Sequence, residues 1–261
     1  MTPRLSLIVL AGNEEKIISV CLRTCYWAKE IILIAANSTD NTVKIVKEKF
    51  PRVKIYSTTD EYNKNFSKWR NLGLSHAHGR WILYIDSDEQ ITLKLKQEII
   101  KTINQPNPEY SYYVIPRANH YLGQRVRFGG SYPDYVKRLF LKDKFGGFTG
   151  QLHEEPVITG QPGYLCHDLL HFTHRDLFSM VQKSLAWTDM EAKELYLHQH
   201  PPVVWWRFPR MMLTKIFQRL IQQQMWRDGT VGWISVIFET FDTFMIYARL
   251  WELQQNPPEK L

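Results

Sequence analysis

The stretch Trp81-Ile-Leu-Tyr-Ile-Asp-Ser-Asp-Glu-Gln90 decides the fold of the chain. Its first five residues are apolar and include two β-branched isoleucines, which is typical of a short buried strand. An acidic cluster that begins at Asp86 ends the strand abruptly. In an open α/β sheet, ligands bind beyond the carboxyl ends of the strands, so this cluster lies where chemistry is expected.

Oxygen-bearing side chains follow the strand at Asp86, Asp88 and Gln90. Hard oxygen donors of this kind suit Mg²⁺ or Mn²⁺, and such an ion commonly bridges a protein carboxylate and a substrate phosphate. Taken alone, an Asp-X-Asp pattern is short and common, and a solvated acidic turn explains it more often than a metal site does. The remainder of the chain decides between these two interpretations.

Strands alternate with helices upstream of this stretch. Continuous apolar runs at residues 5–10 and 31–36, and a shorter run at 53–56, predict buried strands separated by helices. The first helix is expected to open at Glu14 and Glu15, because acidic residues are favourable in a first helical turn. The alternation predicts parallel pairing with right-handed crossovers, and therefore an α/β fold with a mainly parallel central sheet.

The pattern changes after a helix that is predicted near residues 92–103. Strands are expected at 110–116 and 135–141, and a Gly-rich basic loop lies between them at 123–130. Residues 152–174 have an irregular pattern that predicts a loop segment.

A long helix is expected over residues 177–198. Apolar spacing makes four of its residues inward candidates. They are Met180, Val181, Leu185 and Trp187.

Aromatic and basic residues concentrate beyond residue 200, and no acidic residue interrupts the basic ones. They are Trp205, Trp206, Trp226, Trp233 and Trp251, with Arg207, Arg210, Lys215, Arg219 and Arg227. A basic amphipathic helix of this kind predicts an element that lies on an anionic membrane, and a helix that simply covers the sheet is an equally good interpretation. Residues 231–250 are apolar, but Glu239 and Asp242 interrupt them, so no membrane-spanning helix is predicted.

The composition bounds the function only loosely. The 261 residues carry a formal net charge of +7, which suits nucleic acid, anionic lipid or phosphate-bearing substrates alike. No recognisable nucleic-acid-binding module accompanies the charge, so no nucleic-acid partner is predicted. Three cysteines are too few for a disulfide framework and fit a reducing cytosol, and no signal peptide is expected at the N-terminus.

Six short patterns, weak one by one, are spread over almost the whole chain. They are Asn13-Glu14-Glu15; Ser38-Thr39-Asp40; Arg70-Asn71-Leu-Gly73 leading into Asp86-Ser-Asp88-Glu89; Leu122-Gly123 through Arg138-Leu-Phe140; His153-Glu154 with Leu170-His171; and Asp228-Gly229 with Gly232. In this order the chain resembles family 2 glycosyltransferases of the nucleotide-diphospho-sugar transferase (GT-A) fold. Within that family it is similar to the bacterial subgroup that includes lipopolysaccharide-core β-glucosyltransferases.

The resemblance implies a Rossmann-like GT-A fold with a helical extension at the C-terminus. Residues 1–175 would form the catalytic domain, with a nucleotide half at about 1–90 and an acceptor half at about 91–175. Residues 176–261 would form the helical extension, associated with a membrane.

The resemblance also implies an activity. The expected reaction transfers a sugar, with inversion, from a UDP- or GDP-sugar donor to a hydroxyl of a lipid-linked or cell-envelope saccharide. A divalent ion, Mn²⁺ or Mg²⁺, would neutralise the charge that develops on the diphosphate leaving group. The expected location is cytoplasmic, peripheral on the cytoplasmic face of the cell membrane.

The site residues that the resemblance implies fall into three groups, beside a catalytic base. For the donor nucleotide they are Ala11, Asn13, Glu14, Asn37, Asp40, Arg70, Asp86 and Ser87. For the metal they are Asp86, Asp88, Gln90 and His171, and for the acceptor or a phosphate they are Arg125, Arg127, Arg138 and His153. Each of these also has a simpler interpretation as a surface or structural residue.

The expected catalytic base is Glu154, because an acceptor hydroxyl needs a group that takes its proton as the new bond forms. Glu154 directly follows the matched histidine. Glu155 precedes Pro156 and is therefore biased toward extended backbone, which makes it the weaker choice. The alternative is that both are exposed loop acids.

The histidines near this segment are dense enough to raise a structural zinc site as an alternative. They are His153, His167, His171 and His174. Their spacing is irregular and no Cys-X-X-Cys pair accompanies them, so zinc is the weaker interpretation.

One residue departs from the family pattern. The second strand of the family usually ends with an aspartate that recognises the nucleotide base, and the corresponding residue here is Ala35. This departure predicts weak discrimination among bases and favours an alternative function, a nucleotide-sugar-binding protein with lost or reduced turnover. The presence of Asp86, Asp88 and Glu154 argues against that alternative.

Overall fold

A computed structural model of the chain describes residues 4–59, 65–150 and 154–256. The described residues cluster into two compact units. The first unit contains the residues up to Arg117 together with Asp134–His171, and the second contains Ala118–Pro133 together with the residues from Phe172 onward.

The secondary structure alternates in the first part of the chain and becomes helical near its end. The strands are β1 (Leu5–Ala11), β2 (Glu30–Ala36), β3 (Lys54–Thr58), β4 (Trp81–Asp86), β5 (Glu89–Ile91), β6 (Tyr112–Tyr121), β7 (Gln124–Arg125), β8 (Asp134–Leu141), β9 (Phe145–Thr149), β10 (Glu155–Ile158), β11 (Pro162–Tyr164) and β12 (Leu169–Phe172). The helices are α1 (Ile18–Cys25), α2 (Thr42–Lys49), α3 (Phe66–Ser75), α4 (Leu93–Ile103), α5 (Leu177–Leu197), α6 (Arg207–Phe217) and α7 (Gly229–Gln255). A π-helical turn, Gln218–Gln222, and a 3-10 turn, Met225–Asp228, connect α6 to α7.

The main sheet has the strand order β3-β2-β1-β4-β8-β6-β12-β5, with β7 and β11 paired to β6. The four strands from β3 to β4 are parallel, and β8 runs antiparallel to both β4 and β6. Every residue of β1 and β2 is buried, because helices cover both faces of a parallel sheet. The predicted alternation of strands and helices is confirmed in this half of the sheet.

Helix α3 lies unusually close to the sheet at Gly73. A Cβ atom at Gly73 would come within 2.5 Å of the Ile8 side chain in β1, so only glycine permits this approach. The same helix carries Arg70, which is 4% exposed. The close packing therefore holds Arg70 at the carboxyl edge of the parallel strands.

Two of the sequence expectations about elements are wrong. Helix α1 begins at Ile18 rather than at Glu14, because Glu15 forms hydrogen bonds to the loop after β2. Its backbone N–H donates to Asp40, and its carboxylate accepts from the N–H of Asn41. The segment 152–174 is not irregular in its described part, since it contains β10, β11 and β12. Strands of three or four residues are too short to give a periodic apolar signal.

Helix α5 of the second unit begins with a capping box formed by Asp176 and Ser179. Its buried residues are Met180, Ser184, Thr188 and Ala192. Three of these four are small and allow α7 to approach closely.

Of the four inward candidates in α5, Met180 is confirmed. Val181 and Leu185 are exposed, and Trp187 is half-buried. Apolar spacing marked the wrong face because the buried face of this helix is formed mainly by small and hydroxyl-bearing residues.

Candidate active site

The strands of the parallel half end together at one edge of the sheet. Ala35 lies opposite Ala11 in the β1–β2 register, and Asp86 lies opposite Leu10 in the β1–β4 register. The backbone N–H of Ser87 donates to the carbonyl of Leu10 at 3.1 Å, which fixes the turn that follows β4. The acidic stretch thus begins at the carboxyl end of the sheet, where ligands of open α/β sheets bind.

Two arginines hold the carboxylate of Asp86. Arg70 donates from Nη2 to Oδ1 at 3.0 Å, and Arg138 donates from Nη2 to Oδ2. Burial alone would raise the pKa of Asp86, but Arg138 and Arg70 hold that pKa well below its ordinary value. Asp86 is therefore ionised at neutral pH and neutralised by its two neighbours.

Glu89 forms a second centre in the same network and is completely buried. Its Oε1 accepts from Arg138 at 2.6 Å and from Arg117 at 3.3 Å, and its Oε2 accepts the backbone N–H of Asp86 at 2.9 Å. Arg117 also pairs with Asp134 at 2.7 Å. Glu89 therefore fixes both the backbone of Asp86 and the guanidinium that binds its side chain.

Asp88 faces a different partner. Its Oδ2 lies 3.3 Å from Nε2 of His171, which stands on β12. Strand β12 is antiparallel to β5, with His171 opposite Glu89 and Leu170 opposite Gln90. Because side chains alternate along a strand, Gln90 points to the other face from Glu89 and His171.

Among the described residues, no three His, Cys, Asp or Glu side chains are grouped so as to hold a metal ion. Asp88 and His171 supply one oxygen and one nitrogen donor, while Asp86 is directed toward two arginines. Mg²⁺ usually takes one or two protein carboxylates and completes its shell with water and substrate phosphates. The donor set thus fits an ion that is shared with a phosphate ligand, rather than one held by the protein alone.

Arg70 also reaches Glu154. Its Nε donates to Oε1 of Glu154 at 2.7 Å, so one guanidinium connects Asp86 and Glu154. The other oxygen of Glu154, Oε2, is buried and has no hydrogen-bond partner among the described residues. Nη1 of Arg70 and Nε of Arg138 share this property within the described chain.

Hydrogen bonds connect the loop after β1 to the loop after β2. Oδ1 of Asn13 accepts the N–H of Thr39 at 2.7 Å, and the carboxylate of Asp40 accepts the N–H of Glu15 at 3.0 Å and that of Thr42 at 2.9 Å. Burial raises the pKa of Asp40, but the bonds from Thr42 and Glu15 lower it overall. Asn13 and Asp40, predicted to contact a nucleotide, also shape the loops at the end of the sheet.

The remaining predicted nucleotide residues lie at the same edge. Ala35 is 1% exposed, so its methyl group is enclosed where the family's aspartate is expected. Asn37 is exposed and has φ of 50°, a left-handed conformation that asparagine tolerates better than most residues. The N–H of Glu14 donates to the Thr42 hydroxyl at 2.8 Å.

The sequence profile of Glycosyl transferase family 2 matches residues 6–160, which is more than half of the chain. The chain belongs to this family. The predicted resemblance to family 2 glycosyltransferases is thereby confirmed.

Curated relatives of this family 2 chain are bacterial and phage glycosyltransferases. It is 31% identical over 158 residues to the SPbeta prophage-derived glycosyltransferase SunS of Bacillus subtilis (strain 168), covering 60% of this chain and 35% of SunS. The chain thus spans little more than a third of the length of that relative. It is 22% identical over 265 residues to the lipopolysaccharide core biosynthesis glycosyltransferase LpsC of Rhizobium meliloti (strain 1021), covering 97% of this chain and 94% of LpsC.

A solved structure shows the same fold. The mannosyltransferase PcManGT of Pyrobaculum calidifontis, in complex with GDP-Man and Mn²⁺, matches with a TM-score of 0.51 and 11% identity, covering 99% of this chain and 89% of that one. The predicted fold class is confirmed: the chain has a GT-A-like fold with a mixed, mostly parallel sheet and C-terminal helices.

The structure distributes the predicted acceptor residues of the family 2 chain unevenly. Arg138 lies in the Asp86 network of the first unit, whereas Arg125 and Arg127 belong to the second unit. There, the guanidinium of Arg125 lies 4.8 Å from the centroid of the Tyr132 ring, and the exposed Arg127 donates its backbone N–H to Asp228 at 3.0 Å. His153 lies outside the described residues.

Two members of the charge network around Asp86 were not predicted from the sequence, namely Glu89 and Arg117. A signal for Glu89 was present, because it stands two residues before the apolar Ile91 and so shares a strand face with it. No comparable signal marked Arg117, whose partners lie 17 and 28 residues away in the chain.

Proposed function

We propose that this family 2 chain is an inverting glycosyltransferase. It moves a sugar from a UDP- or GDP-sugar donor to a hydroxyl of a saccharide acceptor and depends on a divalent metal ion. One observation carries the proposal: Arg70 joins Asp86 and Glu154, and beside these contacts lie buried polar atoms with no partner among the described residues. Because such atoms cost free energy, a site that contains several of them is matched to a polar ligand.

The proposed metal ligands are Asp88 and His171. They approach within 3.3 Å of one another and offer donors that Mn²⁺ and Mg²⁺ accept. When bound, the ion would neutralise the charge of the diphosphate leaving group. Asp86 is proposed to bind the donor through the lone pairs that its arginines leave unused, since each carboxylate oxygen can accept two hydrogen bonds.

The proposed base is Glu154. Nε of Arg70 occupies Oε1 of the carboxylate, and Oε2 remains unpartnered among the described residues. In the proposed step the acceptor oxygen bonds to the anomeric carbon as the diphosphate leaves, and Oε2 takes the hydroxyl proton. Glu155 is the weaker candidate, because its side chain is 75% exposed and faces Lys137 at 3.4 Å.

A second candidate function is nucleotide-sugar binding with lost or reduced turnover. The enclosed methyl group of Ala35 favours it, because no carboxylate is present at that position to accept the N–H of a base. The two candidates differ in one measurable respect, since a binding protein would retain a donor without cleaving it.

A screen of UDP- and GDP-sugars with Mn²⁺ or Mg²⁺ tests the proposal. We expect cleavage of at least one donor in the presence of metal, with hydrolysis as the background reaction when no acceptor is supplied. Binding of a donor by calorimetry with no cleavage under any of these conditions would instead support the binding protein.

We further propose a lipid-linked or cell-envelope saccharide as the acceptor and the cytoplasmic face of the membrane as the location. The match to LpsC over nearly the whole chain and the exposed aromatic residues of the second unit support this. Arg125 and Arg127 remain proposed contacts to the acceptor or to a phosphate.

A further inference from the structure

The second unit exposes an unusually large number of apolar side chains. Many of its large apolar side chains are exposed, including Leu213 at 65% and Ile237 at 68%. Soluble monomers seldom expose contiguous apolar surface of this kind without a partner for it. Seven of these residues lie on helices α6 and α7.

Helix α6 exposes an apolar face rather than burying it. Trp206 at its N-cap, Leu213 and Phe217 within it and Ile221 in the following π-helical turn are all exposed, at intervals of seven, four and four residues. No residue of this described helix is buried. Intervals of three, four and seven residues place side chains on one face of a helix. The guanidinium groups of Arg210 and Arg207 lie 5.7 Å and 5.6 Å from the centroid of the Trp206 ring.

Helix α7 carries a second exposed stripe, formed by Trp233, Ile237, Phe241, Phe244 and Trp251. The intervals of four, four, three and seven residues again define one face. Eighteen residues separate the two tryptophans, which corresponds to about 27 Å of helix at 1.5 Å per residue. By length and composition alone, the segment Met225–Gln255 is apolar enough to cross a membrane, although a third of its most apolar window is buried.

Three charged residues of this region, Arg219, Glu239 and Asp242, have partners within the unit. Nε of Arg219 pairs with Oε2 of Glu239 at 2.5 Å, and Nη1 of Arg219 donates to the carbonyl of Gly129. Asp242 accepts the hydroxyl of Ser184 in α5. Burial raises the pKa of both acids, while Lys215 acts on both in the opposite direction. The acids that interrupt the apolar run therefore have partners within the unit.

We propose that the exposed faces of α6 and α7 insert into the apolar boundary of a lipid bilayer, and that burial of apolar surface rather than attraction to anionic lipid drives the insertion. The inference deepens the proposed membrane location and is independent of the transfer reaction. It differs from the sequence expectation, in which an aromatic and basic helix lies on an anionic membrane. Two of those basic residues, Lys215 and Arg219, act on the acids of α7 instead.

The chemistry of these faces favours lipid over a second copy of the chain. The guanidinium groups of Arg207 and Arg210 lie beside Trp206, and the indole N–H groups of Trp206 and Trp233 are donors only. Lipid phosphates and ester carbonyls are acceptors only, so they complement these donors. Two copies of the same face would instead oppose donor to donor and cation to cation. Tryptophans near the ends of an apolar stripe are also typical of membrane interfaces.

Vesicle flotation of the full chain tests the inference. We expect binding to zwitterionic phosphatidylcholine vesicles that persists at high salt and gains little from anionic phosphatidylglycerol. Leu213→Glu and Ile237→Glu should each lower the partition coefficient at least about tenfold, since a buried apolar side chain is replaced by a charge. Leu93→Glu, which changes an exposed leucine of the first unit, is the matched control and should bind like the wild type.

Quenching of tryptophan fluorescence by brominated lipid measures insertion into the bilayer in the wild-type protein, without any substitution. We expect strong quenching by vesicles with brominated acyl chains. Binding that requires anionic lipid and disappears at high salt would overturn the inference. So would absence of binding together with a dimer, detected by light scattering, that Leu213→Glu dissociates.

Discussion

The substitution Arg70→Met removes the guanidinium that connects Asp86 and Glu154. Arg70 has a side chain that is only 5% exposed, and its two partners are 28% and 21% exposed. Removing one partner of a buried ion pair costs about 3–5 kcal/mol. Because Asp86 keeps Arg138 and Glu154 is partly exposed, we expect a loss of about 3 kcal/mol, the lower end of that range.

Thermal unfolding followed by circular dichroism measures this loss. For a domain of this size, about 3 kcal/mol corresponds to a decrease of about 6–12 °C in Tm. The matched control is Lys137→Met, which breaks the exposed contact to Glu155 in the same region and should cost about 0–1 kcal/mol. If Arg70→Met and Lys137→Met unfolded at the same temperature, the buried network would contribute no more to stability than a surface ion pair, contrary to this expectation.

Three further predictions concern the same edge of the sheet. Asp88→Asn and His171→Gln should each weaken the Mn²⁺-dependent binding of a nucleoside diphosphate, measured by calorimetry. Gln90→Ala, on the opposite strand face, should have a smaller effect. Equal effects of all three substitutions would contradict the proposed ligand pair. Ala35→Asp should increase the preference for one base while lowering Tm, because it encloses a carboxylate, and an unchanged preference would show that other groups recognise the base. Burial raises the pKa of Asp86, but Arg138 and Arg70 lower it by more, so the folded pKa lies below the ordinary aspartate pKa of about 3.9. The contribution of Asp86 to stability is therefore complete above about pH 3.9 and is lost only as the pH falls through the lower folded pKa. The difference in unfolding free energy between wild type and Arg70→Met should therefore stay constant from about pH 5 to pH 8, and a difference that vanished within that range would contradict the assignment.

The parallel half of the fold follows from the sequence because its signals are local. The apolar runs of β1 and β2 are continuous and fully buried, and the acidic cluster after β4 directly marks the end of a strand. The later strands were missed because β11 and β12 contain only three and four residues.

The pairing of charges in the site is not local and could not be predicted from the sequence. Arg70 and Glu154 are 84 residues apart, and Arg138 and Asp86 are 52 apart. The sequence indicated that these residues were of interest without indicating that they bind one another. His171 is a partial exception, because the family resemblance associated it with Asp88 and the structure places the two side chains 3.3 Å apart.

The helices that we propose to bind a membrane show a different limit of sequence-based prediction. Composition alone revealed the basic and aromatic residues beyond residue 200, but not the face on which each lies. Arg219 turns toward Glu239, whereas Leu213 and Phe217 turn outward. The orientation of a helix that is apolar on more than one face depends on its tertiary neighbours, which the sequence does not reveal.

Turnover by Glu154→Gln decides whether Glu154 acts as the catalytic base. It uses the donor and metal found in the nucleotide-sugar screen, with donor binding measured in parallel and Glu155→Gln as the matched control. We expect at least a ~10²-fold loss of turnover for Glu154→Gln, the low end for general acid–base catalysis, with donor binding retained and Glu155→Gln close to wild type. Turnover by Glu154→Gln near the wild-type rate would show that Glu154 is not the base, and a loss confined to Glu155→Gln would assign the base to Glu155.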